Sequence, residues 1–121
     1  MSVPPSDSLE QLRVRLAQFA SARDWDQFHT PKNLAMALAG EAGELLEHFQ
    51  WLTPEQSGSL SPDKHRQVAH ELADILIYLI RLADKLEVDL VPTAWDKIAL
   101  NEARYPAERV RGDARRAEEY E

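Results

Sequence analysis

The sequence predicts an all-α protein, a bundle of four helices. Three observations carry the prediction. Four segments repeat apolar residues at helical spacing. Two of these open on a hydroxyl residue followed by proline, Thr30-Pro31 and Ser61-Pro62, the types preferred at an N-cap and at the first helical position. Hairpin chemistry is scarce, because the 121 residues include only four glycines and no Gly-Gly or Asn-Gly pair.

Residues 1–7 read as a flexible lead. The first helix is expected from about Ser8 to Ala22. Ser8 and Gln11 form a capping-box pattern, and Leu9, Leu12, Leu16 and Phe19 fall on one face. An aromatic connector, "RDWDQFH", follows. The second helix is expected from Pro31 to about Trp51, and "TPEQSGSLS" reads as a loop. The third runs from Pro62 to about Leu86. Asp89 is placed to cap the fourth, where Pro92 fits only the first turn, and Pro106 stops it near Tyr105. Residues 8–106 thus read as one domain. The tail, 107–121, mixes both charges densely, has little to bury and is expected to be extended.

Composition narrows the function classes. The net charge of −7 disfavours general binding to a nucleic acid polymer. Cysteine is absent, which excludes a disulfide framework or a thiolate site and favours a reducing compartment. The first residues lack a basic segment followed by an apolar one, and no apolar run reaches membrane-spanning length. A cytoplasmic protein without a membrane association is therefore expected.

The two central helices carry acids where a core would be expected. Glu41, Glu44, His48 and Trp51 share one face of the second helix, beside a stripe that includes Leu38, Leu45 and Phe49. Glu71, Asp74 and Tyr78 share one face of the third, beside Leu72, Ile75 and Leu79. Any single helical Glu is usually just a solvated charge. Two pairs recurring beside apolar stripes are less easily explained that way. At about 4 Å, two like charges repel by roughly 1 kcal/mol in water and about 4 kcal/mol at an effective dielectric of 20. Facing pairs therefore need a cation or raised pKa values. All-oxygen ligands favour Mg²⁺, with Mn²⁺ as a substitute. A di-iron bundle would need Glu-x-x-His pairs, and no Glu in the chain has His three residues later. Gly40 and Gly43 sit beside these acids. Each costs about 1 kcal/mol relative to alanine in a helix, which points to close approach of a neighbouring chain or helix. The third helix is apolar nearly all round (Leu72, Ile75, Leu76, Ile77, Leu79, Ile80), so homo-oligomerisation is expected from the pattern itself.

At these residues the chain resembles a known family. Glu41-x-x-Glu44 with Glu71-x-x-Asp74 looks like the metal signature of the MazG-like all-α nucleoside triphosphate pyrophosphohydrolases. "RDWDQFHTPKNLAMALAGEAGELLEHFQW", "ELADILIYLIRLADKLEVDL" and "KIALNEARYPAERVRG" are similar to its dCTP pyrophosphatase branch. The resemblance covers roughly residues 8–116, and the 50–67 loop is its least similar part. It implies a MazG-like four-helix bundle assembled as a homodimer or homotetramer. It also implies Mg²⁺-dependent cleavage between the α- and β-phosphates of a nucleoside triphosphate, giving the monophosphate and pyrophosphate. Glu41, Glu44, Glu71 and Asp74 match the metal-binding positions.

The remaining residues acquire roles within that reading. Glu44 is the carboxylate expected to orient or deprotonate an attacking water. Lys97, Asn101 and Arg104 line up at i, i+4 and i+7 and suit phosphate oxygens, with Tyr105 either joining them or packing. Aromatic residues at helix ends can stack a base. In the resembling branch the connector helps form the base pocket, so Trp25, His29 and Trp51 are expected to contact base or sugar. Asn33 and Tyr78 are further candidates. Trp95 is assigned to packing, and His48, His65 and His70 to structural or solvent-facing roles. The favoured substrate is dCTP or a modified dCTP. Two alternatives stay open: dUTP/dUDP or broad NTP hydrolysis on the same scaffold, and a non-catalytic helical oligomerisation module.

Overall fold

The computed structural model describes residues 8–120, and the lead expected over residues 1–7 lies outside them. The described residues are helical, with no strand among them. They fall into two compact units, one ending at Glu87 and the other beginning at Val88. No helix among the described residues is long and apolar enough to cross a membrane.

The first unit is built on three long helices, each started by the predicted cap. Helix α1, Leu9–Ala22, begins where the Ser8 hydroxyl accepts from the Gln11 N–H. Helix α2, Pro31–Glu47, begins where the Thr30 hydroxyl accepts from the Asn33 N–H. A short helix, α3, spans Pro54–Ser57. Helix α4, Pro62–Lys85, begins where Ser61 accepts from the Lys64 N–H. The main packing of the unit is α2 against α4, and α1 also packs on α4. Ala20, Leu34, Val68, Ile80 and Ala83 are buried there. Arg13 of α1 reaches Asp84 of α4 at 3.1 Å.

Between α1 and α2 the connector is a structured turn. Asp24 adopts the left-handed conformation (φ 55°), which a short polar side chain tolerates better than most. The Gln27 amide donates back to both the Asp24 carbonyl and its carboxylate. A 3₁₀ turn, Asp26–Phe28, then leads into α2.

Two expectations for the first unit change. Helix α2 stops at Glu47 rather than near Trp51, and the chain continues to Leu52 through tighter i→i+3 turns. Pro54 is the physical reason: it disfavours helix in the residue before it, and Thr53 serves instead as the next N-cap. Trp51 is therefore not on the helical face of Glu41 and Glu44. The segment read as a plain loop holds α3, closed by a complete capping box between Thr53 and Gln56.

The second unit carries α5, Leu90–Arg104, and a short helix α6, Ala107–Val110. Asp89 sits at the α5 N-cap position but its side chain makes no capping bond there. The tail is not extended throughout, because α6 is followed by a 3₁₀ turn, Ala117–Tyr120. Its dense mixed charge pairs locally: Arg104 meets Glu118 at 2.7 Å, and Arg115 meets Asp113 at 2.6 Å. Trp95, assigned to packing, is instead 67% exposed in the chain.

Candidate metal-binding acidic site

The α2–α4 contact gathers the acids. One carboxylate oxygen from each of Glu41, Glu44 and Glu71 lies within 4.8 Å of the others. Helical spacing explains the placement: Glu41 and Glu44 are three residues apart on α2, and α4 delivers Glu71 from the opposite side. Asp74 is outside that trio but half-buried, and its charge acts on Glu41.

Burial differs across the trio. Glu41 and Glu71 are half-buried, and each has one oxygen, Oε2, shut away from solvent with no hydrogen-bond partner. Glu44 is exposed. A carboxylate oxygen can only accept, so Glu41 and Glu71 cannot satisfy one another while both are ionised. A proton or a cation between them resolves this. With a proton, the Glu41 carboxyl is pushed up to about 7, first by the hydrogen bond it then shares with Glu71, next by burial, then by Glu44 and the charge of Asp74. With a divalent cation, the orphaned oxygens become ligands. Three carboxylates at this separation, two with unsatisfied buried oxygens, fit a hard metal ion.

A pH dependence follows. The folded state holds the Glu41 proton up to about 7, whereas the unfolded chain releases it near 4.5. Between those values the folded state binds more protons, so without metal its stability falls as pH rises from 4.5 to 7. A cation competes with that proton and binds more tightly as pH rises. Melting scans should show Mg²⁺ raising Tm more at about pH 8 than at about pH 5.5. An equal Mg²⁺ effect at both values would remove Glu41 from the cation site.

The other predicted site residues are distributed as follows. Trp25 stands at the start of the connector, edge-on to Phe19 with ring centroids 5.7 Å apart. His29, half-buried, ends it, and its Nδ1 accepts from Arg81 Nε at 3.2 Å. Asn33 donates one amide N–H to the Phe28 carbonyl at 3.0 Å, so it helps hold the connector against α2. Tyr78 is half-buried on α4, one turn beyond Asp74. Trp51 is 87% exposed. Lys97, Asn101 and Arg104 are exposed on α5 in the second unit, with the Arg104 guanidinium 5.8 Å from the centre of the Tyr105 ring. His48 lies beside Lys64, Nδ1 to Nζ 3.2 Å, while His65 and His70 are exposed.

One residue escaped the sequence reading. Arg81 of α4 is 3% exposed and donates to Asp26, Asp84 and His29. A cation in the apolar run "DILIYLIRLAD" was the available signal.

Helices that bring carboxylates together around unsatisfied oxygens define a helical protein with an acidic cluster that could bind a metal ion. Comparison with known proteins places the chain in a family. The model of the MazG-like family matches residues 37–118. Human dCTP pyrophosphatase 1 is 44% identical over 117 residues, covering 95% of this chain and 69% of that protein. The bovine dCTP pyrophosphatase 1 is 47% identical over 109 residues, covering 88% and 64% respectively. The crystal structure of a pyrophosphatase from Archaeoglobus fulgidus superposes with a TM-score of 0.78 at 34% identity, over 88% of this chain and 99% of that one. The chain belongs to the MazG-like family.

Proposed function

We propose that the chain is a Mg²⁺-dependent nucleoside triphosphate pyrophosphohydrolase that cleaves dCTP or a modified dCTP to the monophosphate and pyrophosphate. The observation that carries this reading is the carboxylate trio with its two orphaned oxygens. Similarity to proteins named dCTP pyrophosphatase 1 supports the reaction and the base.

Glu41, Glu44, Glu71 and Asp74 would hold the ion, with Glu44 the exposed member of the set. A Mg²⁺ held there would supply Lewis-acid stabilisation of phosphate charge and a more acidic water. Glu44 orients that water toward the α-phosphorus and takes its proton. Its exposure supports this, since a base must reach both water and substrate. Lys97, Asn101 and Arg104 offer cationic and amide donors to phosphate oxygens, with Tyr105 beside them. Trp25, His29, Asn33, Trp51 and Tyr78 form the base and sugar contacts. Pyrophosphate release from dCTP with Mg²⁺, abolished by EDTA, tests the reading.

Trp51 is a large aromatic left almost bare in the chain. Base–aromatic stacking contributes about 1–3 kcal/mol per base. Trp51→Ala should therefore raise KM for dCTP roughly 10-fold or more. Steady-state kinetics showing unchanged KM and unchanged nucleotide preference would place the base elsewhere.

Self-association is part of the proposal. Leu72 is 52% exposed on α4, and Leu76, Ile77 and Leu79 are also uncovered. On α5, Val91, Trp95 and Ile98 are exposed at i, i+4 and i+7. Contiguous apolar faces of this kind mark interaction surfaces. Gly40 and Gly43 add to this. A Cβ at either would meet nothing within 4 Å among the described residues, so no contact among them explains their smallness. A second copy does. Sedimentation should give a dimer or tetramer, and a concentration-independent monomer would remove this part.

A further inference from the structure

Arg81 is the one charged or polar residue buried among those described, and the acidic site does not use it. It lies on α4 and faces the connector that precedes α2. Its Nη2 donates to Asp26 at 3.0 Å, its Nη1 to Asp84 at 3.4 Å and its Nε to His29 Nδ1 at 3.2 Å. Asp26 also accepts from Lys85 at 2.6 Å, and Asp84 from Arg13 at 3.1 Å. The two carboxylates neutralise the buried guanidinium. Its Nε–H goes to a ring nitrogen.

That last contact has a chemical consequence. A guanidinium can only donate, so the His29 nitrogen facing it must accept. Nδ1 therefore carries no proton, and in the neutral ring the proton sits on Nε2. The groups that act on His29 are Arg81 and Lys85 of α4 and Asp26 of the connector. Burial first, then the Arg81 charge, holds the imidazole below its ordinary pKa, against the weaker opposite pull of Asp26. Geometry and charge thus favour the same species, a neutral ring with its proton on Nε2.

We propose that Arg81 is a positioning residue that locks His29 in the Nε2–H tautomer, so that the connector presents a fixed hydrogen-bond donor to an acceptor atom of the nucleotide's base or sugar. This rests on the proposed function. A fixed donor favours a base edge that carries acceptors. Cytosine offers O2 and N3 side by side, whereas uracil carries a donor at N3. Arg81 would then contribute to base preference without touching substrate.

The test combines ring spectroscopy with kinetics. Arg81→Met removes every donor, and Asp26 and Asp84 keep Lys85 and Arg13 as partners. Arg81→Lys keeps the buried charge for the fold but lacks the Nε–H. Long-range ¹⁵N correlation spectra of the wild-type chain should show His29 Nδ1 unprotonated and Nε2 protonated, without titration near the ordinary value of 6.5. Both variants should show mixed tautomers, and Arg81→Met also a ring that titrates higher. They should also raise KM for dCTP roughly 3- to 10-fold, the worth of one hydrogen bond, and change kcat far less. A merely structural Arg81 would leave the tautomer unchanged. Dispersed spectra with the wild-type tautomer, or a lost tautomer with unchanged KM, would overturn the role of Arg81 alone. Failure of the wild-type chain to hydrolyse any nucleotide would overturn the proposed function, and this inference with it.

Discussion

Glu44→Gln is expected to lower kcat for pyrophosphate release by roughly 10²–10⁴-fold, the usual contribution of a general base. Mg²⁺-dependent nucleotide binding should survive. Glu41 and Glu71 hold the oxygens that are sealed from solvent, which suits them to be the inner ligands of the proposed ion. Glu44 shares their cluster but stands exposed, where a water and an α-phosphate can both reach it. Glutamine keeps the size and one acceptor oxygen while removing the proton-accepting charge. Nucleotide binding followed by fluorescence or calorimetry, beside single-turnover kinetics, separates the two roles. Loss of Mg²⁺ binding in Glu44→Gln would make this residue a ligand first and count against its role as the base.

Glu71→Gln should produce a larger and two-sided effect. Activity should fall at least as far as in Glu44→Gln, because an inner ligand is gone. Stability in EDTA should rise, because an amide N–H can donate to the buried oxygen of Glu41 that otherwise lacks a partner. Leaving a buried polar group unsatisfied costs about 1–3 kcal/mol, which bounds the gain. The gain should be largest above about pH 7, where Glu41 would otherwise ionise beside Glu71. Denaturant unfolding in EDTA checks it. A variant that is less stable there and still active would show that Glu71 serves the fold and not the ion.

The parts of the fold that were legible in the sequence are those set by local chemistry. Ser8, Thr30 and Ser61 each cap the helix they were expected to start. The acids were legible for the same reason: spacing by three on α2 puts Glu41 and Glu44 on one face whatever the tertiary structure. What was not legible depended on competition or distance. Pro54 and the Thr53 cap cut α2 short, although the apolar pattern continues to Trp51. In the tail Arg115 pairs with Asp113 and Glu118 with Arg104 of α5, and local helical turns form in a segment that has little to bury. Arg81 was missed because periodicity reports only that a position faces inward. Its partners His29 and Asp26 lie 52 and 55 residues away, beyond any spacing rule.

Two kinds of feature now bear on one reaction. In the proposed function the acidic centre would supply the place for the ion and, through Glu44, the proton acceptor. The connector, held to α4 by Arg81, would supply the aromatic and imidazole groups for the base. The two features are held by separate contacts, so their variants should separate kinetically. Changes at Glu44 should appear in kcat, and changes at Trp51 and Arg81 in KM.

The central claim is tested most directly by measuring pyrophosphate release from the eight common nucleoside triphosphates and 5-methyl-dCTP, each with Mg²⁺ and with EDTA. The account predicts release that depends on Mg²⁺ and is fastest for dCTP or 5-methyl-dCTP, with the nucleoside monophosphate as co-product. Equal rates in EDTA, or no release from any of the nine, would contradict it.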